Sequence, residues 1–446
     1  MSINYNPKIV MVGGGSYTWC PRLLSDLMQT PEMEGAEVVL LDPNPQAAGE
    51  VRAAGEAIAA RLNKRYRLWA TSNEAEAFQG ADFVIITIST GGLQAMAHDL
   101  AVPEKYGIFH TVGDTAGPGG WSRALRNVPV LLHLAQQIER YAPRAVALNY
   151  TNPLAVLTAA IARASGLRAV GLCHGVFENY GLLEKLLGVE EKDLAVRFGG
   201  VNHFFWILDF SVKGQRGYPL LKERLAGRTL DEALHEGSTD EIGFHSYHKL
   251  CDELFGEYGY LPYVGDRHTC EFLPGYITPN PDSLERHKLV RTSVQERLGN
   301  RDRARQWTLD LASGKALPSV RSRETAVDIM MAFLHGKPFT DVVNLPNVGQ
   351  IDNLPRGAVV ETLGLADGLG FRAITTGSLP PVLQQLVAPH CQMQLMILEA
   401  AMKGDRRLAF EALMLDPVCA HLSPKQVRAM GTELMAATKE WLPQFS

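Results

Sequence analysis

The first 175 residues alternate short apolar runs, each ending in glycine or polar residues, with longer helical patterns. This alternation is typical of βαβ units, whose strands form a parallel sheet. The apolar runs predict strands at 8–12, 38–41, 83–88, 146–150 and 169–172. Ligands bind at the carboxyl ends of the strands in such sheets, so we expect these five distant stretches to line one crevice.

The first predicted strand ends in Gly13, Gly14 and Gly15, followed by Ser16 and a helical pattern over about 17–28. The spacing differs from G-x-G-x-x-G, but glycine lets the backbone approach a pyrophosphate, and a helix N-terminus offers free N–H groups. Asp42 ends the second predicted strand, where a carboxylate accepts hydrogen bonds from ribose hydroxyls and repels a 2′-phosphate. The turn therefore predicts an NAD site. The alternative is a glycine turn that only packs a helix on a strand.

The alternation stops after about residue 196, and strong helical patterns follow near the end, at about 381–403 and 424–441. We expect a dinucleotide-binding domain over 1–195 and a second part over 196–446. The predicted fold class is α/β. It comprises a Rossmann-type, doubly wound parallel sheet and a second, mixed α+β lobe, as in lactate and malate dehydrogenases.

Composition and charge exclude several classes of partner. The net charge is −5 and charges of both signs are mixed along the chain, so no basic stripe for nucleic acid is present. Residues 1–7 are polar and no long apolar segment follows them, which argues against a membrane anchor. The six cysteines lack pairing spacing, which indicates free thiols in a reducing compartment. We therefore expect a cytoplasmic protein that binds neither nucleic acid nor membrane.

One cysteine and one histidine stand out by their positions. Cys173 ends a predicted strand beside His174, and His203 follows a Gly-Gly-Val-Asn run. A thiolate and an imidazole can hold a divalent metal and leave open positions for substrate oxygens. The same residues also fit a nucleophilic thiol with its base, or a buried cysteine and a core histidine. The spacing alone does not decide among these three interpretations.

Taken together, these segments resemble glycoside hydrolase family 4, the NAD- and metal-dependent glycosidases. The resemblance rests on stretches that follow one another in order, at 13–16, 42–43, 102–107, 113–120, 149–153, 173–175, 200–203, 347–351 and 360–361. It implies NAD and Mn²⁺ as cofactors, with Cys173 and His203 as the metal ligands. Asn152 is implied as a contact to a substrate hydroxyl, and Ser89 joins the glycine turn in binding the cofactor. Substrate and metal binding would then involve the part of the chain over 196–446.

The family scheme implied by this resemblance is an elimination. NAD takes a hydride from sugar C3, a base removes the acidified C2 proton, and the glycosidic oxygen leaves; water then adds and the hydride returns. The residue after the metal cysteine is an acidic aspartate in phospho-α-glucosidase members. Here it is His174, which can protonate a leaving oxygen, or can serve instead as a third metal ligand or a substrate hydrogen bond.

The base is a tyrosine or an aspartate in members of this family. The candidate implied here is Asp266, and a solvated Asp266 paired with its neighbour Arg267 is the alternative. Arg286 stands at the spacing of a substrate-binding arginine. Fallback candidates for the base are His268, Tyr260 and Tyr263.

The substrate class depends on two positions. Members that act on 6-phosphosugars resemble one another in an arginine where this chain has Met96, and methionine cannot hold a phosphate dianion. The Cys-His-Gly sequence at 173–175 resembles the uronidase members. A uronate carboxylate needs a cation, for which the candidates are Arg123, Arg267 and Arg286.

The resemblance therefore predicts an exo-acting α-galacturonidase, with a uronide substrate of the kind found in pectin. The alternatives are an α-glucuronidase or α-galactosidase of the same family and, more distantly, an NAD-dependent 2-hydroxy acid dehydrogenase or a non-catalytic NAD-binding protein. The apolar helical pattern around 386–402 is compatible with a homo-oligomer, a dimer or tetramer, and equally with a core helix.

Overall fold

A computed structural model describes residues 6–234, 247–279 and 281–445. This part of the chain contains one sheet of thirteen strands. The strands are β1 (Lys8–Val12), β2 (Glu37–Leu41), β3 (Arg67–Thr71), β4 (Phe83–Ile86), β5 (Val146–Asn149), β6 (Arg168–Gly171), β7 (Leu194–Val201), β8 (Phe204–Val212), β9 (Gln215–Arg216), β10 (Leu261–Pro262), β11 (Phe339–Pro346), β12 (Val359–Asp367) and β13 (Gly370–Ala373).

Helices cover both faces of this sheet. They are α1 (Cys20–Met28), α2 (Pro45–Arg61), α3 (Glu74–Phe78), α4 (Gly92–Glu104), α5 (Gly117–Tyr141), α6 (Leu154–Ala164), α7 (Gly175–Leu187), α8 (Gly217–Leu225), α9 (Leu230–Leu234), α10 (Lys249–Tyr258), α11 (Asp266–Thr269), α12 (Pro281–Arg286), α13 (Val294–Ala312), α14 (Ala326–His335), α15 (Pro381–Lys403), α16 (Arg406–Met414) and α17 (Pro424–Ala437). Short 3-10 helices lie at Pro31–Met33, Glu191–Asp193, Cys270–Phe272, Pro417–Cys419, Lys439–Trp441 and Pro443–Phe445.

The first half of the chain forms the predicted parallel sheet. Its strand order is β3-β2-β1-β4-β5-β6, and each neighbouring pair is parallel. This is the doubly wound order of dinucleotide-binding folds, so the predicted fold class is confirmed. The five predicted strands correspond to β1, β2, β4, β5 and β6. Strand β3 was not predicted, because it lies at the sheet edge, is only half-buried and has no apolar run.

The second half extends the same sheet with antiparallel strands. Strand β11 joins β6 where Asn344 pairs with Gly171, and β12 joins β7 where Glu361 pairs with Gly200. The full order is β10-β8-β7-β12-β11-β6-β5-β4-β1-β2-β3, with β13 beside β12 and β9 beside β8. The mixed lobe therefore has no separate sheet. The division of the chain after residue 195 stays a prediction, and that position lies within β7.

Alternation along the strands explains how both faces of the sheet are buried. In β1, Val10 and Val12 belong to the core cluster shared with α5, α6 and α15, whereas Ile9 and Met11 belong to the cluster shared with α1, α2 and α14. The predicted C-terminal helix is α15, which packs on α5 and α6 and is partly core. In the described part of the chain, no helix is long and apolar enough to cross a membrane.

Candidate active site

A cavity of about 350 Å³ opens at the carboxyl ends of the parallel strands. Its walls come from the segments that follow β1, β4, β5 and β6, together with the β7–β8 turn, the segment after β10, and Asp114 and Arg123 before and within α5. Of the predicted site residues, those that line it are Ser16, Ser89, Asn152, Cys173, His174 and His203. Four of the five predicted stretches thus share this cavity. The fifth, after β2, lies beside the glycine turn instead.

The glycine turn packs too closely for side chains. Gly13 has a φ of +83°, and a Cβ there would lie 2.5 Å from the carbonyl oxygen of Thr87, at the end of β4. A Cβ on Gly14 would lie 2.7 Å from the Cα of Leu40 in β2. The turn is therefore a bare backbone surface between three parallel strands, and this geometry fits the close approach of a dinucleotide pyrophosphate.

Asp42 holds the same turn from the side. Its Oδ2 accepts a hydrogen bond from the N–H of Gly15 at 2.9 Å, and its Oδ1 accepts one from Asn44 at 2.8 Å. These bonds fix the carboxylate at the end of β2, next to the glycines. The binding of ribose hydroxyls by Asp42 stays a prediction.

Cys173 and His203 come together across the cavity. The Sγ of Cys173 and the Nε2 of His203 are 3.3 Å apart. Cys173 follows β6, whereas His203 lies in the tight turn between β7 and β8 with a φ of +64°. Burial raises the pKa of Cys173 well above its usual value and lowers the pKa of His203 to about 4. The imidazole is therefore neutral and can act as a ligand.

A hydrogen-bond chain sets the tautomer of His203. The hydroxyl of Thr115 donates to Asp114 Oδ1 at 2.6 Å, and the same oxygen lies 3.0 Å from His203 Nδ1. Since the Thr115 proton is committed to the carboxylate, Nδ1–H of His203 donates to Thr115. The lone pair of His203 is then on Nε2, the atom that faces Cys173. Metal-binding histidines are commonly oriented in this way.

Asp114 and His268 add further ligand atoms to the same space. Ligand atoms of Asp114, His203 and His268 all lie within 4.8 Å of one another, and the two histidine rings stack at 3.8 Å. Burial acts to raise the pKa of Asp114, but His268, Arg123 and His203 outweigh it and hold that pKa below its usual value. Sulfur, imidazole nitrogen and carboxylate oxygen form a donor set that fits a divalent transition metal.

His174 lies on the cavity wall with a carboxylate partner. Its Nδ1 is 3.4 Å from Oε1 of Glu324, which is 5% exposed. The hydrogen bond to Glu324 raises the pKa of His174 against the opposing effect of burial. This shift favours the protonated imidazole, the form that an acid requires. No motif marks Glu324, which lies 150 positions further along the chain.

Asp266 and Arg286 are not brought to the cavity. Both Asp266 carboxylate oxygens accept backbone hydrogen bonds at the start of α10, from Leu250 at 3.2 Å and from Cys251 at 3.0 Å. Asp266 therefore caps a helix. Arg286 is the exposed last residue of α12. The geometry does not favour the catalytic and substrate-binding roles predicted for these two residues.

Two of the three fallback bases line the cavity. They are Tyr263 and His268, whereas Tyr260 lies elsewhere. The hydroxyl of Tyr263 donates to Glu178 Oε2 at 3.3 Å, and its ring stacks 5.8 Å from His203. Burial raises the pKa of both Tyr263 and Glu178. The tyrosine is therefore protonated and has a carboxyl group beside it to receive that proton.

Of the three arginines considered for a substrate carboxylate, Arg123 is the one on the cavity wall. Its Nε donates to the carbonyl oxygen of Asn152 at 3.0 Å, and the guanidinium makes no other hydrogen bond within the described residues. Arg267 instead donates to the carbonyl of Thr111. Met96 is buried in α4 and does not line the cavity.

Asp114 was missed by the sequence reasoning, although the Gly-Asp-Thr run at 113–115 was among the stretches of resemblance. Its amide neighbour is Asn152, whose Nδ2 lies 3.3 Å from Asp114 Oδ2. The glycine-rich context of 113–120 is the signal that was present. A glycine-rich run before a helix lets the backbone approach a ligand closely.

Comparisons with known proteins cover nearly the whole chain. Residues 8–189 match the model of family 4 glycosyl hydrolases, and residues 198–419 match that of the family 4 glycosyl hydrolase C-terminal domain. An alpha-galacturonidase of Thermoanaerobacter italicus is 34% identical over 98% of this chain and 97% of its own length. One of Bacillus subtilis is 36% identical over 92% of this chain and 93% of its own length. A Bacillus subtilis crystal structure described as that of a glucosidase is similar with a TM-score of 0.88 and 34% identity, over 96% of this chain and 99% of that one.

Proposed function

This chain belongs to glycoside hydrolase family 4, and from that premise we propose that it is an exo-acting α-galacturonidase that uses NAD and Mn²⁺. The observation that carries the substrate class is Arg123 on the wall of the cavity that holds Cys173 and His203. Two relatives named alpha-galacturonidase, each covering nine-tenths or more of the chain, support the same class. One alternative is an α-glucuronidase, whose substrate also carries a C6 carboxylate. The other is an α-galactosidase, whose substrate has no carboxylate.

The residues present fit both cofactors. The bare turn of Gly13, Gly14 and Gly15, with Ser16 and Ser89 on the cavity wall and Asp42 beside it, is proposed to hold NAD. Cys173 and His203 are proposed to hold Mn²⁺, with Asp114 and His268 within reach of the same ion. When bound, these groups supply a hydride acceptor and a Lewis acid for the sugar's C2 and C3.

We propose Tyr263, in place of Asp266, as the base that takes the C2 proton. Tyr263 lines the cavity beside His203, and its hydroxyl already donates to Glu178. Transfer of the hydroxyl proton to Glu178 lets the phenolic oxygen accept the carbon-bound proton in the same step. His268 remains the alternative base, because it lines the same wall.

His174 is the proposed acid. The hydrogen bond to Glu324 raises its pKa, which favours the protonated imidazole, and Glu324 holds the ring at the cavity wall. That proton goes to the glycosidic oxygen as the leaving group departs. The water that adds later gives a proton back to His174. Asn152, next to Asp114, is proposed to orient a sugar hydroxyl.

Arg123 is the proposed partner of the C6 carboxylate. Its guanidinium carries a fixed charge inside the cavity, and its Nε bond to Asn152 anchors it there. A galacturonide gains charge-assisted hydrogen bonds that a neutral galactoside cannot make. A phosphosugar would find no arginine for its phosphate, because this chain has Met96 at that position.

Two coarser proposals concern the protein as a whole. Its six cysteines are free, which fits a reducing compartment, and we propose a cytoplasmic location. We also propose a homo-oligomer, a dimer or tetramer, which light scattering behind a sizing column tests directly. A monomer at micromolar concentration would refute the second proposal.

The activity is tested with p-nitrophenyl α-galacturonide, α-glucuronide and α-galactoside in NAD⁺, Mn²⁺ and a thiol reductant. We expect the galacturonide to be cleaved fastest, with no net NADH release and with solvent deuterium at C2 of the product. Undiminished activity without both cofactors, or activity only on a phosphosugar, would refute the proposal. Net NADH release from a 2-hydroxy acid would identify a dehydrogenase instead.

A further inference from the structure

Glu361 lies fully buried in β12, behind the cavity wall that carries Cys173 and His203. Its Oε2 accepts a hydrogen bond from Asn202 Nδ2 at 2.9 Å and another from Asn344 Nδ2 at 2.7 Å. None of the proposed chemical steps uses this carboxyl group. A buried acid with two amide donors on a single oxygen needs an explanation, because removing a carboxyl group from water is costly.

Each amide partner leads directly to one of the proposed metal ligands. Asn202 precedes His203 in the β7–β8 turn, where the positive φ of His203 needs support from its surroundings. The Asn202 amide also acts against the burial that raises the pKa of Cys173. Asn344 pairs with Gly171, two positions before that cysteine. Glu361 therefore connects the two segments that present the sulfur and the imidazole.

The pattern of hydrogen bonds indicates a proton on Glu361. Within the described residues, no donor reaches Glu361 Oε1, Asn202 Oδ1 or Asn344 Oδ1. Three unsatisfied acceptors in one buried cluster are unfavourable, whereas a hydrogen on Oε1 can bond one of the amide oxygens. Burial raises the pKa of Glu361 to about 7, so the neutral form is present at neutral pH.

We propose that Glu361 is a positioning residue, a buried clamp that holds the Cys173 thiol and the His203 turn at the separation a metal ion requires. The proposal rests on the metal role proposed for those two residues. Partners that orient metal ligands from behind typically change metal affinity roughly ten- to hundredfold when they are removed. The clamp acts through hydrogen bonds, so its shape matters more than its charge.

The test compares Glu361→Ala with Glu361→Gln, with Mn²⁺ affinity measured by calorimetry and by electron paramagnetic resonance. We expect the alanine variant to bind Mn²⁺ at least about tenfold more weakly. The glutamine variant should stay within about threefold of the parent, because its amide both accepts from one asparagine and donates to the other. Asp416→Asn is the matched control, a buried acid-to-amide change away from the cavity wall, and should leave Mn²⁺ affinity unchanged.

Asn344→Ala keeps the proposal testable if Glu361→Ala does not fold. It removes one arm of the clamp without touching either ligand, and we expect Mn²⁺ affinity to fall about fivefold, the equivalent of one hydrogen bond. Parent-like affinity in the alanine variants, or a glutamine variant as weak as alanine, would overturn the proposal.

A metal-free readout separates this proposal from the proposed function. Cys173 is the one free cysteine that is not fully buried, so iodoacetamide reports on its thiol. We expect faster alkylation in Glu361→Ala than in the parent or in Glu361→Gln, because the thiol loses its restraint. Equal rates in all three proteins would refute the clamp. If the parent does not bind Mn²⁺ at all, the metal role fails, whereas this difference in rate tests the clamp alone.

Discussion

Replacement of Arg123 by methionine tests the substrate class by removing a single guanidinium group. The change removes the guanidinium charge and keeps a side chain of similar length in the cavity wall. Charge-assisted hydrogen bonds contribute about 1.5–3 kcal/mol, and a carboxylate gripped by the two terminal nitrogens belongs at the upper end. About 3 kcal/mol corresponds to roughly a hundredfold in kcat/KM.

A second cost of the same substitution is shared by every substrate. Arg123 donates from Nε to the carbonyl of Asn152 at 3.0 Å, and methionine loses that bond. The loss of about 1 kcal/mol displaces Asn152 and lowers kcat/KM about fivefold, whatever the sugar. We therefore expect the galacturonide to lose about five-hundredfold and the galactoside about fivefold. The ratio between the two substrates isolates the carboxylate contact.

The assay measures kcat/KM for p-nitrophenyl α-galacturonide and α-galactoside in parallel, at saturating NAD⁺ and Mn²⁺. Arg286→Met is the matched control, because Arg286 was also predicted to bind substrate and lies exposed at the end of α12. This control should leave kcat/KM unchanged for both substrates. Arg123→Lys keeps the charge without the planar fork and should fall between parent and methionine. Equal losses on both substrates in Arg123→Met would show that the carboxylate is bound elsewhere.

Three further predictions follow from other parts of the structure. Gly13→Ala should lower NAD affinity at least about tenfold in equilibrium titrations, because its Cβ would lie 2.5 Å from the carbonyl oxygen of Thr87 at a positive φ. Tyr263→Phe should reduce kcat and deuterium incorporation at C2 about a hundredfold or more while leaving Mn²⁺ affinity near that of the parent; unchanged exchange would exclude it as the base. Burial raises the pKa of Asp416 from 3.8 to about 6, so the native state binds that proton more tightly than the unfolded chain and loses about 3 kcal/mol as pH rises through this window. Asp416→Asn should therefore gain stability relative to the parent in urea unfolding at pH 7.5 but not at pH 4; an equal difference at both would contradict the pKa.

The parts of the site that were predicted from sequence depend on local signals. A glycine run between an apolar strand and a helix has few other uses, and the polar residues at strand ends share an edge by the geometry of parallel sheets. Cys173 and His203 were placed together only through the family resemblance. Their 3.3 Å contact joins segments 30 positions apart, which no periodicity reveals.

The parts that were not predicted depend on distant contacts. Asp266 was the predicted base, but its oxygens cap α10 by accepting from residues 15 and 16 positions earlier in the chain. Glu324 reaches His174 from the segment before α14, and no motif marks it. A carboxylate is equally suited to capping a helix and to catalysis. Only tertiary packing decides which of the two occurs.

The late strands β11 and β12 explain how both halves of the chain contribute to the proposed metal site. They lie between β6, which ends before Cys173, and β7, which ends before His203. One row across the sheet consists of Gly171, Asn344, Glu361 and Gly200. Glycine is required at both ends of the row, because a Cβ on Gly171 would meet Thr158 Oγ1 at 2.5 Å and one on Gly200 would meet Phe204 O at 2.4 Å.

The middle of that row is polar for a related reason. Three strand spacings of about 4.8 Å separate β6 from β7, so the two ligands must lean toward each other over the intervening strands to meet at 3.3 Å. Apolar residues at 344 and 361 would leave the Asn202 amide without an acceptor and the turn free to tilt. The polar pair links the turn to the strand row. The separation of sulfur and imidazole is therefore set by Asn344 and Glu361, which come 141 and 158 positions after His203 in the chain, and neither half forms the site alone.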